Sequence, residues 1–236
     1  MRRSLYKYYS QVKYAEALLN GEVFFQSLGY FRNYEDGNTR GDELEGTSVY
    51  KPAEGLQITN QTQGTSFVMP GWSFESTANL EDILVFCASR ALSPELWKRF
   101  DAAACVEILN VARFCARLEQ VVRPEGSNFF AKRVMYYDAT EPPNPRWALP
   151  DVIAISKRDD YSWQQEYRFV VAAPGALEFE KTKMQLVRRV SRDATQDSPA
   201  HTKRLIRTRD LHEICRLHLV AQHRPAGGLT ANTARA

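Results

Sequence analysis

Residues 82–89 read DILVFCAS, the clearest pattern of a buried strand in the sequence. It is an almost continuous apolar run of strand length that ends in the small residues Ala88 and Ser89, which is typical of a strand buried on both faces. Residues 166–172, EYRFVVA, give a second convincing strand pattern that begins at Glu166. The two stretches predict that a buried sheet organises the chain.

The remaining periodicities surround these strands with short elements. Residues 11–20 place Val12, Ala15 and Leu18 on one helical face, and Gly21 follows as a helix stop. Ser93 followed by Pro94 predicts the start of a short helix, and residues 110–122 predict a longer one. Further strands are predicted at residues 5–10, 22–31, 104–109, 132–138, 153–158, 186–190, 204–207 and 214–220, short irregular strands at 47–69, and loops at 32–46 and 141–150. With no internal repeat or linker, the sequence predicts a single compact α+β domain over residues 1–223, with mixed central sheets and short helices, and a flexible tail at 224–236.

The composition is that of an ordinary soluble globular protein. Of 236 residues, 44% are hydrophobic and 25% are charged, and no apolar run approaches the ~20 residues that span a bilayer. The positive N-terminus lacks the apolar stretch of a secretory signal. Four cysteines without a CxxC or other metal-ligand spacing predict buried reduced thiols, no metal site and a cytoplasmic location.

Positive charge is concentrated near the C-terminus. The net charge is +3, yet residues 181–236 alone carry 12 Lys and Arg against 4 Asp and Glu, together with all four histidines. Such a bias indicates a surface for phosphate, RNA or DNA, although a solvated face that balances the acidic middle explains it as well. The candidate nucleic-acid contacts are Arg188, Arg189, Arg192, Lys203 and Arg204.

The common catalytic motifs do not occur in this sequence. It has no phosphate loop, dinucleotide glycine fingerprint, HExxH or GxSxG, which disfavours ATPases, Rossmann enzymes, zinc proteases and serine hydrolases. The strongest remaining feature is Gln164-Gln165-Glu166. On an extended chain Gln164 and Glu166 project to the same side, and Glu166 enters an apolar strand, where a carboxylate needs a partner. Either it forms an ion pair, for example with Arg168, or it faces a cleft and binds a sugar hydroxyl or a cation.

Two further stretches could contact a ligand. Cys87, Ala88 and Ser89 end the buried strand with small side chains that leave room for one, although a plain strand end explains them too. In LYKYYS, Lys7 between Tyr6 and Tyr8 could bind phosphate while a ring stacks on a base. Core tyrosines with an outward Lys7 are the alternative.

The order of these motifs resembles two families. LYKYYS, NYEDGNTRGDELEG, VFCAS, CVEI, VMYYD and KRDDYSWQQEYRFV follow one another as in an uncharacterised bacterial and phage domain family. More widely, LYKY, CAS and QQE resemble the three signatures of the Arg–Ser–Glu type mono-ADP-ribosyltransferases: an aromatic–arginine pair, a Ser-Thr-Ser strand and a Glu/Gln-x-Glu turn. Lys7 stands where that family has arginine, and Cys87 departs from its serine strand.

The resemblance implies an ADP-ribosyltransferase-like fold and a metal-free enzyme with NAD as substrate, acting as a toxin or phage-defence effector. Glu166 would stabilise the ribosyl cation and Gln164 would orient the acceptor. Lys7 would hold the NAD phosphates, with Tyr6 or Tyr8 stacking and Ser89, beside Cys87, supporting the nicotinamide ribose. The acidic stretch 34–45 would line the acceptor side. RNA or single-stranded DNA is the expected acceptor, a protein acceptor and an antitoxin partner stay open, and no membrane is involved.

Two alternatives without this chemistry also follow from the sequence. One is a module that binds RNA or DNA through the basic C-terminal region. The other is a metal-free nuclease with His201 or His212 as general base.

Overall fold

The computed structural model describes residues 4–33, 41–188 and 201–220. The α-helices are α1 (Val12–Leu19), α2 (Leu28–Arg32), α3 (Pro94–Arg99), α4 (Val111–Val122) and α5 (Pro150–Ile153), and 3₁₀ helices cover Arg123–Glu125, Asp159–Gln164 and Phe179–Lys181. The strands are β1 (Leu5–Tyr9), β2 (Glu22–Ser27), β3 (Thr47–Tyr50), β4 (Leu56–Asn60), β5 (Thr65–Met69), β6 (Trp72–Thr77), β7 (Ile83–Ser89), β8 (Ala104–Ile108), β9 (Asn128–Arg133), β10 (Met135–Tyr137), β11 (Ser156–Arg158), β12 (Glu166–Ala172), β13 (Lys183–Arg188), β14 (Lys203–Arg207) and β15 (Cys215–Leu219).

The main sheet branches at β7. On one side β7 pairs antiparallel with β12 along its whole length, and β12 pairs in turn with β9. On the other side β7 pairs with β2 through Leu84 and Val85 and with β1 only through Ser89. β14 extends the sheet beyond β2, and β8 and β15 extend it beyond β1. The protein is therefore a mixed α+β structure whose sheets are mostly antiparallel.

The branch leaves a gap in the sheet. β1 and β2 are both antiparallel to β7 and hence parallel to each other, and they pair with opposite ends of it. Among the described residues, Phe86, Cys87 and Ala88 have strand partners only on the β12 side. Helix α1 connects the end of β1 to the start of β2 and contacts both strands.

Both faces of β7 are buried, as the sequence predicts. Leu84 and Phe86 belong to one hydrophobic cluster together with α1 and α4, while Ile83 and Val85 belong to another that includes Ile153 of α5. The first cluster contains three aromatic rings in tilted or edge-to-face contact, with the centroids of Phe86, Phe114 and Phe169 5.0 to 6.0 Å apart. The central part of the sheet is thus packed against other elements on both faces.

Smaller units complete one compact domain. β13, β6 and β3 form a three-stranded antiparallel sheet, β4 and β5 form a hairpin, and β10 and β11 form a parallel pair. β6 was not predicted from the sequence.

Three predicted elements were wrong in detail. The strand expected at 22–31 ends at Ser27, whose hydroxyl accepts a hydrogen bond from the Tyr30 amide at 3.1 Å and so starts α2. The strand expected at 132–138 is two strands in different sheets, β9 and β10, separated by Val134. The segment 153–158 is the end of α5 followed by β11. The tail predicted at 224–236 lies outside the described residues.

Candidate functional site

A cavity of about 720 Å³ opens at the gap between β1 and β2. Its volume falls in the range of about 300–1,000 Å³ that is usual for small-molecule sites. All the residues that the transferase resemblance assigns to catalysis or NAD binding line this one cavity, and these are Tyr6, Lys7, Tyr8, Cys87, Ser89, Gln164 and Glu166. The fold therefore brings together three stretches that are far apart in the sequence.

Three of these residues form a row across adjacent strands. Tyr6 of β1 lies opposite Ser89 of β7, and Ser89 lies opposite Glu166 of β12. Cross-strand neighbours point to the same face of a sheet, so the three side chains share one wall of the cavity. The Ser89 hydroxyl donates to the Gln164 carbonyl at 2.8 Å, which fixes the turn before β12 to the end of β7.

The turn before β12 is tightly coiled and not extended as predicted. Gln164 ends a 3₁₀ helix, and Gln165 has a φ of 47°, the left-handed region that is uncommon for residues other than glycine. Gln164 and Glu166 nevertheless meet, because both contact the ammonium group of Lys157. Lys157 Nζ donates to Gln164 Oε1 at 3.0 Å and lies 3.5 Å from Glu166 Oε2.

Glu166 belongs to a buried cluster of four charged side chains. Arg168 Nε donates to Glu166 Oε1 at 2.7 Å, while Arg168 Nη1 and Nη2 donate to the two carboxylate oxygens of Glu45 at 2.7 and 2.8 Å. Lys157 Nζ lies 3.8 Å from Glu45 Oε2. The exposed fractions are only 1% for Arg168, 2% for Glu45, 5% for Lys157 and 6% for Glu166. The ion pair with Arg168 that the sequence left open is therefore present, in a cluster whose formal charges cancel.

The cluster keeps the Glu166 carboxylate ionised. Burial alone would raise its pKa, but the charges of Arg168 and Lys157 outweigh burial and hold the pKa well below its ordinary value of 4.5. Burial lowers the pKa of Lys157, whereas the charges of Glu166 and Glu45 raise it, and the net effect is a rise. Burial and the Glu166 charge raise the pKa of the Cys87 thiol, which stays protonated. Glu166 can therefore act as a fixed negative charge and hydrogen-bond acceptor, but not as a proton donor near neutral pH.

The basic and aromatic residues of β1 point to opposite faces of the sheet. The Lys7 ammonium lies 4.7 Å from the centroid of the Phe86 ring, on the face covered by α1. The Tyr8 ring is packed against Trp97 with centroids 5.6 Å apart, and its hydroxyl donates to the Ala91 carbonyl at 2.9 Å. Tyr6 is less buried and donates to Glu107 at 3.3 Å, which leaves Tyr6 as the ring of the pair better placed for stacking.

The predicted nucleic-acid contacts do not form one patch in the described residues. Arg188 ends β13 in the three-stranded sheet, whereas Lys203 and Arg204 lie on β14 at an edge of the main sheet. Arg204 forms an ion pair with Glu125 on the face opposite to Lys203. Arg189 and Arg192 lie outside the described residues.

The histidines of the nuclease alternative and the acidic stretch have partners of their own. His201 Nδ1 lies 3.1 Å from Glu81, and His212 Nδ1 lies 2.9 Å from Asp210, and neither histidine is among the residues that line the cavity. In the stretch 34–45, residues 34–40 lie outside the described residues, and Glu45 is buried against Arg168 at the wall of the cavity.

Sequence reasoning missed Lys157 and the pairing of Glu45 with Arg168. Glu45 lies 123 residues before Arg168, so no local pattern could pair them. Lys157 has only a weak signal in the sequence, since it follows the apolar residues 152–155 after one intervening serine. In the described parts of the chain there is no group of three or more His, Cys, Asp or Glu side chains that could hold a metal ion.

Comparison with protein-family models, curated proteins and solved structures finds no match to this chain. Within residues 4–33, 41–188 and 201–220, no helix is long and apolar enough to cross a membrane.

Proposed function

We propose that the cavity binds NAD and that the protein transfers the ADP-ribosyl group to an acceptor. The observation that carries this proposal is the row of Tyr6, Ser89 and Glu166 on three adjacent strands beside the gap. The stretches that resemble the aromatic–basic, serine and Gln-x-Glu signatures are thus neighbours in space, as a shared ligand requires. An ADP-ribosyltransferase-like fold is part of the proposal.

The chemistry asks for the groups that this cavity holds. The bond between the nicotinamide nitrogen and the ribose carbon breaks, its electron pair leaves with neutral nicotinamide, and positive charge develops on the ribose. The ionised Glu166 would accept a hydrogen bond from a ribose hydroxyl and stabilise that charge. The acceptor then bonds to the ribose carbon and releases its proton to solvent. No acid is needed for the leaving group, which agrees with the low pKa of Glu166.

The surrounding residues would position the substrate. Lys7, on the face opposite to Tyr6, would contact the NAD phosphates through the gap as a point charge, and Tyr6 would stack on a ring. Ser89 holds the Gln164 carbonyl, so it would fix the turn that carries Gln164 toward the acceptor. Cys87, a neutral thiol between Ser89 and Val85, would leave room for the nicotinamide ribose.

A second candidate is a nucleotide-binding module that does not cleave its ligand. The observation that favours it is that Arg168 and Lys157 already balance the charge of Glu166 and Glu45. A compensated carboxylate stabilises a developing cation less than a lone one. The cavity would then serve recognition only.

The setting of the activity is also proposed. An NAD-consuming transferase would work in the cytoplasm as a toxin or phage-defence effector, where the four free cysteines would stay reduced. An antitoxin protein would be its natural partner. The preferred acceptor is a nucleic acid, with a protein side chain as the alternative.

The deciding experiment incubates the purified protein with labelled NAD, with and without cell lysate. We expect release of nicotinamide and transfer of label to lysate. NAD binding without any nicotinamide release would favour the second candidate. Absence of both binding and release would refute the use of NAD.

A further inference from the structure

The outer face of β2 and β14 carries an exposed apolar pair. Phe24 of β2 lies directly opposite Leu205 of β14, and their exposed fractions are 46% and 37%. On the other face of the same strands Val23, Phe25 and Ile206 are fully buried in the core. A sheet with one solvated face normally alternates apolar inward and polar outward positions, so this outward pair is unusual.

The pair is part of the cavity wall. Phe24 and Leu205 line the same cavity as Glu166, on the far side of the gap from Tyr6. We call this pair the Phe24–Leu205 shelf. A ligand resting on the shelf would therefore face the proposed NAD site.

Polar residues flank the shelf at both ends. Gln26, which also lines the cavity, lies opposite Lys203, and Glu22 lies opposite Arg207, with Arg207 Nε 3.4 Å from Glu22 Oε1. Lys203 and Leu205 are two residues apart on one strand, so they point to the same face. The surface thus combines the apolar Phe24–Leu205 shelf with the Gln26 amide and the Lys203 ammonium group at one end of it.

We propose that the Phe24–Leu205 shelf stacks an unpaired base of single-stranded RNA or DNA, with Lys203 on a flanking phosphate and the Gln26 amide at the base edge. As the acceptor subsite, this assignment rests on the transferase function proposed above. A nucleotide presents one flat apolar face, one hydrogen-bonding edge and one phosphate charge, which match the three components of the surface. A base in a duplex would have to be unpaired first, so single strands are preferred.

The test measures binding of a fluorescein-labelled single-stranded RNA of about ten nucleotides by anisotropy, without NAD. Loss of base stacking in Phe24→Ala should weaken binding by about five- to a hundredfold. Lys203→Glu should weaken binding and reduce its salt dependence, because one phosphate contact is lost.

Two matched variants control for nonspecific effects. Phe67→Ala removes a phenylalanine that is 55% exposed on β5 outside the cavity, and Lys51→Glu reverses the charge of an exposed lysine. Both should bind the RNA like the wild-type protein. Equal binding by the Phe24→Ala and Phe67→Ala proteins, or no saturable binding by the wild type, would overturn the shelf.

Nicotinamide release, measured in the same preparations, separates this inference from the proposed function. Release without RNA binding, with label found only on protein, overturns the shelf and leaves the transferase. RNA binding that depends on Phe24 without nicotinamide release supports the nucleic-acid site and overturns its role as acceptor subsite.

Discussion

Glutamine substitution at Glu166 and at Glu45 should lower stability alike but affect activity differently. Both carboxylates accept short hydrogen bonds from Arg168, and both are almost completely buried. Only Glu166 lies in the row with Tyr6 and Ser89. The two variants therefore separate the structural role of the charge cluster from the catalytic role of one of its members.

The stability loss follows from the burial of the cluster. Removing one partner of a buried ion pair costs about 3–5 kcal/mol, and the lower end applies because glutamine keeps one hydrogen bond and Arg168 keeps its other carboxylate. For a chain of this size about 3 kcal/mol corresponds to a decrease of roughly 6–12 °C in Tm. We expect both Glu166→Gln and Glu45→Gln to show a decrease of this order in thermal unfolding.

The activity loss should be confined to one variant. Nicotinamide release by the Glu166→Gln protein should fall by about 10²–10³, the usual effect of removing one preorganised electrostatic contact. The Glu45→Gln protein should retain most of its activity when assayed well below its own Tm. If both proteins lose activity equally while still folded, Glu166 has no role beyond the cluster and the catalytic assignment is wrong.

Three further predictions concern the same framework. The pKa of Glu166 is held below its ordinary value of 4.5. The ionised carboxylate therefore stabilises the folded protein fully above that pH, and this stabilisation is lost on acidification. The Tm difference between wild type and Glu166→Gln should therefore narrow as the pH falls below 4.5, and a constant difference contradicts this. Lys7→Ala should raise the KM for NAD with little change in kcat, because the phosphate charge is the same in the ground and transition states. A large decrease in kcat at unchanged KM would show that Lys7 does not act by binding the phosphates. Gly21→Ala should lower Tm more than Gly71→Ala. Both glycines have a positive φ, but only a Cβ added at Gly21 would meet backbone, 2.6 Å from the Thr208 carbonyl oxygen. Equal decreases in Tm for the two variants would refute this close approach.

Local signals in the sequence located most of the elements around the site. Ser93 caps α3 as predicted, with its hydroxyl accepting from the Leu96 amide at 3.2 Å, and Gly21 ends α1 with a φ of 90°. The apolar run of β7 and the strand that begins at Glu166 need only their own composition to be recognised. These features depend on residues within one turn or one strand, which a single sequence contains.

Features that depend on distant partners could not be predicted. Nothing near Glu45 or Arg168 in the sequence indicates that these residues meet, and the pairing exists only because the fold brings Glu45, just before β3, to Arg168 of β12. The extended geometry expected for Gln164 and Glu166 was wrong because the left-handed Gln165 allows the Ser162 carbonyl to accept a hydrogen bond from the Gln165 amide at 3.1 Å. The two residues still meet, through Lys157, for a reason that the sequence did not show.

The branched sheet also has a consequence for synthesis on the ribosome. Two of its outer strands, β14 and β15, come from residues 203–219, and they cover β2 and β8, which are made much earlier. At about 5–20 residues per second, β2 would wait roughly ten seconds or more as an open edge that can pair with other chains. A nascent chain that stops before β14 would therefore be prone to aggregation, and Leu205 would not yet be in place to complete the cavity wall.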